Sequence, residues 1–298
     1  MTISSAHTSA TDSPEAGRTF ATGSTGDQHL SGSTLRSLGV PHAFSTRRGG
    51  VSSGIFDSLN FGNPSDLPRE RRDPPSNIAR NLHILLEWAG IKRPASKEIV
   101  QVYQVHGARA HIVRPGHATH PDSPDPITGE SRDTKADAIV TDDPARVLCV
   151  RTADCTPVLL TSADGRIVAA VHAGWRGVIA GVAPETVAAM RSLGAHDIHA
   201  VIGPCISSTC FEVGPEVVRE FRRVFGANAP CRVVEPTNPD SKGFVNLQEV
   251  LCQQLESAGI AGIETIPLCT VGRPDLFFSH RRDNGHTGRM AAIISPRS

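Results

Sequence analysis

Three short segments carry residue types from which a metal site can be built: QVHG at 104–107, ADCTP at 153–157 and VHAGWRG at 171–177. Each ends an apolar run with a soft or borderline donor, His106, Cys155 or His172. The runs Pro157–Thr161 and Ile167–Val171 flank SADG at 162–165, a turn-forming sequence, so the spacing predicts an antiparallel hairpin. A four-residue turn sets Cys155 opposite His172; a two-residue turn on Asp164 and Gly165 sets Pro157 opposite His172 and leaves Cys155 diagonal. In both registers the two donors share one face, provided the strand stays regular past Pro157. His106, ending the Ile99–Val105 run before Gly107, is the third candidate by analogous placement.

One thiolate and two imidazoles suit zinc, with copper the alternative, and three protein ligands leave a fourth position open, as a catalytic site requires. The expected catalytic residues are therefore the ligands His106, Cys155 and His172. Asp154 is added as a candidate general base, a role that needs a bulge to turn it toward the ion.

The elements that must hold these residues alternate in type. Strand-like runs fall at Glu98–Val105, Arg109–Val113, Val147–Val150, Pro157–Thr161, Ile167–Val171 and Ile198–Ile202. Helical periods fall at Ser76–Ala89, with Ser76 as its cap, and at Asn246–Ser257. The expected fold is mixed α/β (α+β), a single-domain layered α/β/α sandwich. Residues 1–33, rich in Ser, Thr, Gly and Asp, read as a disordered tail, 34–298 as the catalytic domain, and the Pro-rich stretch 115–135 as a surface loop.

The chain has 298 residues, 30 basic against 30 acidic, and 39% hydrophobic residues, enough for a sizeable core. Balanced charge lacks the basic surface that nucleic acid demands, so small molecules are the expected partners. No apolar run approaches the ~20 residues that cross a bilayer, and no leader pattern opens the chain, which reads as cytoplasmic with no membrane partner. Seven cysteines without a CxxC pair argue against a disulfide framework. Cys149, Cys252 and Cys269 read as small buried hydrophobes, with Cys205 and Cys210 the same or a fourth metal ligand. Oligomeric state is not readable.

Longer motifs complete the pattern: TRRGGVSSGIFDSLNFG at 46–62, ADAIVTDDP, RTADCTPVLL, AAVHAGWRGV, IGPCISSTCFEVG and FFSHRRDNGHTGR. Together with QVHG they resemble, in order over residues 40 to 295, the YfiH family, described first as laccase-like polyphenol oxidoreductases and later as purine nucleoside phosphorylases. The resemblance implies zinc on His106, Cys155 and His172. It also implies phosphorolysis of adenosine, inosine and methylthioadenosine, and deamination of adenosine, with purine nucleosides and phosphate as small-molecule partners. Arg47, Asn60, Arg176 and Arg289 are the family-matched candidates for phosphate or substrate contact. Phe211 and His280 stand where the family has Tyr, and Pro184 interrupts the helix expected after HAGWRG.

Three other functions compete. A copper-dependent polyphenol oxidase of the multicopper kind needs His-x-His and His-Cys-His groupings, which this chain lacks. A non-catalytic structural-zinc protein needs a fourth protein ligand, for which Cys205 or Cys210 would serve. A peptidoglycan-editing Cys/His hydrolase would use Cys155 as nucleophile and survive chelation.

Overall fold

The runs 156–161 and 168–173 are buried at every position, the pattern of strands covered on both faces, and they pair antiparallel at the middle of a seven-stranded sheet. The computed structural model describes residues 18–20, 28–91, 98–116, 130–226, 229–235, 238 and 240–297. Across the sheet the order is Arg18–Phe20, Gly262–Thr265, His199–Ile202, Thr156–Thr161, Val168–Ala173, Ala138–Thr141 and Ala110–Val113. The first three strands run parallel to one another, as do the last two, and the pairings between them are antiparallel.

A second, six-stranded sheet runs His29–Leu30, His42–Ser45, Met290–Ile294, Arg146–Thr152, Glu98–Tyr103 and Glu130–Lys135. Period-two alternation shows how the sheets stack. Val168 and Ala170, with Ile139, Leu159 and Val201, share a core with Leu148, Val150, Ala292 and Ile294 of the second sheet. Ala169 and Val171 face the other way, toward Val182, Ala183 and Val187 of the helix Val182–Ser192 and Val250, Leu251 and Leu255 of the helix Leu247–Ser257. Beyond the second sheet, Ala43, Val147, Cys149 and Ile293 meet Leu82, Leu85 and Leu86 of the helix Pro75–Trp88. The class is the mixed α/β expected, but the layering is helix, sheet, sheet, helix, one sheet more than α/β/α. The extra layer exists because both faces of each sheet are apolar. A three-stranded ribbon of Glu212–Val213, Gly243–Val245 and Cys231–Val233 lies alongside the helix Pro215–Phe225.

Several local expectations are corrected. Pro75 takes the first helical position, where a missing N–H breaks no bond, so Ser76 lies inside the helix and does not cap it. From Trp175, within HAGWRG, the chain forms two helices, Trp175–Ala180 and Val182–Ser192. Gly181, at φ 84°, ends the first in the left-handed region, and Pro184 falls in the first turn of the second, where it is tolerated. Within the segment read as a tail, Arg18–Phe20 pairs with Ile263–Thr265 and His29–Leu30 pairs with Phe44–Ser45. Within the segment read as a loop, Glu130–Lys135 is a strand parallel to Glu98–Tyr103, while 117–129 lies outside the described residues.

A buried carboxylate fixes one edge of this assembly. Glu264 is fully buried, and its two oxygens accept from the backbone N–H groups of Ser33 and Thr34, each at 2.8 Å, at the start of the helix Ser33–Ser37. Burial opposes the charge, but these bonds hold its carboxyl below the usual range. Its contribution is therefore complete above the unfolded carboxylate range and is lost as pH falls through the folded value. Glu264→Gln is expected to destabilise the protein by about 1–3 kcal/mol at neutral pH in urea unfolding, with the gap to wild type closing in acid. A gap independent of pH would show that the charge is not what holds the helix start.

Candidate metal centre

Register decides which side chains meet. Pro157 pairs with His172 and Thr161 with Val168, the register of the Asp164-Gly165 turn, so Cys155 is diagonal to His172 on the same face. That face points toward the second sheet, on the side of Val168 and Ala170. His106 joins them from the turn after the strand Glu98–Tyr103. The donor atoms of His106, Cys155 and His172 lie within 4.8 Å of one another, with His106 Nε2 at 3.9 Å from Cys155 Sγ. For zinc bond lengths near 2.0–2.3 Å, a tetrahedral pair of donors sits roughly 3.5 Å apart, so this donor set fits the ion after a small contraction.

Asp137 brings His106 and His172 together. Its carboxylate accepts from the N–H groups of Val105 at 3.2 Å, His106 at 2.9 Å and Gly107 at 2.6 Å, and from His172 Nδ1 at 2.9 Å. The backbone N–H of His172 also donates to the Asp137 carbonyl, at 2.7 Å. His106 sits at φ 60°, a left-handed conformation unusual for a non-glycine residue, and the carboxylate stabilises it through three successive amides. With Nδ1 of His172 engaged, Nε2 is left to face the cluster, the arrangement common behind metal-ligating histidines. Asp137 stands in no ligand or catalytic spacing in the sequence. The available signal was a carboxylate set between Ala136 and Ala138 in an apolar strand, where burial demands a partner.

Space is fixed as closely as charge. A Cβ on Gly174 would lie 2.7 Å from His106 Cδ2 and 3.1 Å from Cys155 Sγ, so only glycine lets the following helix begin against the cluster. Burial disfavours the Cys155 thiolate, yet the charge of His172 and the hydrogen bonds of His106 and His172 outweigh it and bring the thiol down to about 6. Burial likewise opposes the His172 imidazolium, but the Cys155 thiolate and Asp137 raise it to about 9. Each of the two groups thus favours the charged form of the other.

Asp154 takes another role than a base facing the ion. At φ 85° it turns out of the strand; its oxygens accept from Thr270 Oγ1 at 2.5 Å, Ser279 Oγ at 3.0 Å and the Arg281 N–H at 2.6 Å, and its carbonyl accepts from the Ile206 N–H. It ties two loops to the residue next to Cys155. Asn60 is fully buried, donating to Asp73 and accepting from the N–H groups of Gly62 and Arg289, so it supports the loop and not a substrate. Arg289 lies within electrostatic reach of Cys155 and is anchored through Nη1 on the carbonyls of Thr287 and Gly288. Arg176 is exposed, its guanidinium 4.2 Å from the Trp175 ring. Arg47 donates to the carbonyls of Asp57 and Pro274 and lies over Phe278, binding loops together. Among the described residues the donor grouping is these three alone, and neither Cys205 nor Cys210 joins it.

A family model described as multi-copper polyphenol oxidoreductase laccase matches residues 41–297. A protein of Deinococcus radiodurans named purine nucleoside phosphorylase is 34% identical over 260 residues, covering 86% of this chain and 89% of its own length. The Escherichia coli protein named purine nucleoside phosphorylase YfiH is 36% identical over 257 residues, covering 86% and 93%. Among solved structures, Bacillus licheniformis YfiH superposes with a TM-score of 0.75 at 31% identity, covering 91% of this chain and 97% of that one.

Two outcomes follow from this geometry. Asp137→Asn leaves one acceptor for four donors and is expected to weaken metal retention about 10–100-fold in a chelator competition; unchanged retention would remove Asp137 from the support of the site. A divalent ion must displace the proton on His172 while meeting Cys155 already ionised. Titration calorimetry in buffers of different ionisation heat at neutral pH should therefore read release of about one proton per ion, rising toward two, with a steeper fall in affinity, as pH drops below about 6. Binding with no proton release would mean that His172 is neutral beforehand.

Proposed function

This chain belongs to the YfiH-type, laccase-like family, and from that premise we propose that it is a zinc-dependent purine nucleoside phosphorylase with adenosine deaminase activity. The observation that carries the reading is the convergence of one thiolate and two imidazoles, with a fourth position free, in a chain whose relatives are named for nucleoside phosphorolysis. When bound, zinc supplies a Lewis acid at that position, the property on which removal of the adenine amino group draws.

The residues around the ion divide the remaining work. His172, its tautomer fixed by Asp137, and Cys155 hold the ion from one hairpin face, while His106 closes the set from a turn that cannot relax because Asp137 grips its amides. In phosphorolysis the bond between ribose C1′ and the purine nitrogen breaks as a phosphate oxygen bonds to C1′. The base departs with a proton. Arg289 brings positive charge to the cluster and is the residue we assign to the phosphate; Arg176, exposed on the first turn after Gly174, is the second. Arg47 positions the 46–62 loop against the 274–278 segment.

Zinc is favoured over copper by the number of donors, not their kind. A His–Cys–His set accepts either ion, but oxidation through several coppers needs more histidine groupings than the single cluster among the described residues. The deciding experiment is metal analysis of the purified protein together with chromatography of inosine and adenosine products with and without phosphate. Hypoxanthine release that requires phosphate is the expected result, and release absent under both conditions would overturn the reading. Cys155→Ala is expected to lose the ion and to lower turnover by at least about 100-fold; retention of both would remove Cys155 from the site.

A further inference from the structure

Cys269 does not sit among apolar side chains as its sequence surroundings imply. It lies where the segments 203–211 and 266–273 run side by side, bridged at Cys205 and Cys269. Its sulfur accepts from the Ser207 N–H at 3.4 Å, Ser207 Oγ at 3.1 Å and the Gly272 N–H at 3.4 Å. Ser207 Oγ is itself held by Thr209 Oγ1 at 2.9 Å, and Thr209 Oγ1 lies 3.8 Å from Cys210 Sγ. Cys210 is thus joined to the Cys269 sulfur through Thr209 and Ser207, and its thiol favours the charged form of that sulfur.

Such a cradle favours a charged sulfur. Burial works against the Cys269 thiolate, but the donors from Ser207, Gly272 and Cys210 prevail and lower its thiol from the ordinary value. Both Cys269 and Cys210 are half-buried. Cys149, Cys205 and Cys252, by contrast, are buried, and burial pushes the Cys149 and Cys205 thiols up to about 12. A reachable sulfur whose charged form is favoured, with a second reachable thiol on the same chain of polar contacts, is the arrangement from which a disulfide forms on oxidation.

We propose that Cys269 and Cys210 form an oxidant-reactive dithiol, separate from the His106–Cys155–His172 cluster, that takes hydroperoxides as its substrate and closes to a disulfide. The Cys269 sulfur attacks one peroxide oxygen; the S–O bond forms, the O–O bond breaks, and the departing oxygen takes a proton and leaves as water or an alcohol. The Cys210 sulfur then attacks the sulfur of the resulting sulfenic acid, giving up its proton. The S–S bond forms, the S–O bond breaks, and the hydroxyl leaves with that proton as water. Two thiols have passed two electrons to one peroxide.

The position gives the reaction a reach beyond itself. Thr270, next to Cys269, donates to Asp154, and Ile206, in the segment that leads to Cys210, donates to the Asp154 carbonyl. A disulfide would therefore fasten together the two loops that hang on the neighbour of Cys155.

The test uses the full-length, metal-loaded protein. Hydrogen peroxide is added in stoichiometric steps, remaining thiols are alkylated with iodoacetamide, and the digest is mapped by mass spectrometry. A peptide linked through Cys210 and Cys269 should appear first. Without oxidant, Cys269 should alkylate at neutral pH at least about tenfold faster than Cys149 or Cys205. In Cys210→Ser, dimedone should trap Cys269 as the sulfenic acid, a readout that does not depend on the behaviour of Cys269 variants. The proposal is overturned if the linkage joins Cys205 to Cys269, if another cysteine is consumed first, or if Cys269 passes to sulfinic acid while Cys210 stays alkylatable.

Discussion

A carboxylate without access to solvent must collect donors or give up its charge, and Asp137 collects four. Three come from consecutive amides of the turn around His106 and one from the ring of His172. One ionised group thus sets the backbone of one donor residue and the tautomer of another. The rest of the centre is arranged around that commitment: the hairpin register brings Cys155 to the same face, and the absence of a side chain at Gly174 lets the following helix start against it.

The same device recurs through the molecule. Asp154 gathers Thr270, Ser279 and the Arg281 amide; Glu264 gathers the amides of Ser33 and Thr34. Asp73 gathers Ser52, Asn60 and Asn77. In each case a charge buried or nearly so binds segments distant in sequence, and its neutralisation would leave donors unpaired in a dry interior. The two sheets supply rigidity through apolar packing, whereas these carboxylates fix the loops that packing alone leaves free.

Much of this was legible from residue order. The apolar runs around Cys155 and His172, with SADG between them, specify a hairpin and restrict it to two registers, of which the structure adopts one. Strand-like and helical periods fixed the mixed class. The second sheet was not legible, because its strands at 42–45, 146–152 and 290–294 come from remote parts of the chain and pairing partners leave no local signature. Nor was the role of Asp154, since its left-handed backbone at φ 85° breaks the alternation on which a facing argument rests. Asn60 was matched by its motif, yet motif position says nothing of whether an amide points to a cavity or into a loop. Cys269 was misjudged for a related reason: Leu268 and Val271 flank it in sequence, but its hydrogen-bond partner Ser207 comes from another loop.

The strand Met290–Ile294 lies between His42–Ser45 and Arg146–Thr152 and pairs with both. A chain emerging from the ribosome therefore presents those two earlier strands with unsatisfied edges until nearly 250 positions separate the first of them from its partner. Closure by so distant a contact is slow, because loop entropy is spent before any ladder bond repays it. Until residues 290–294 have been made the sheet stays split between 42–45 and 146–152, and its open edges are places for transient pairing that productive folding has to outpace.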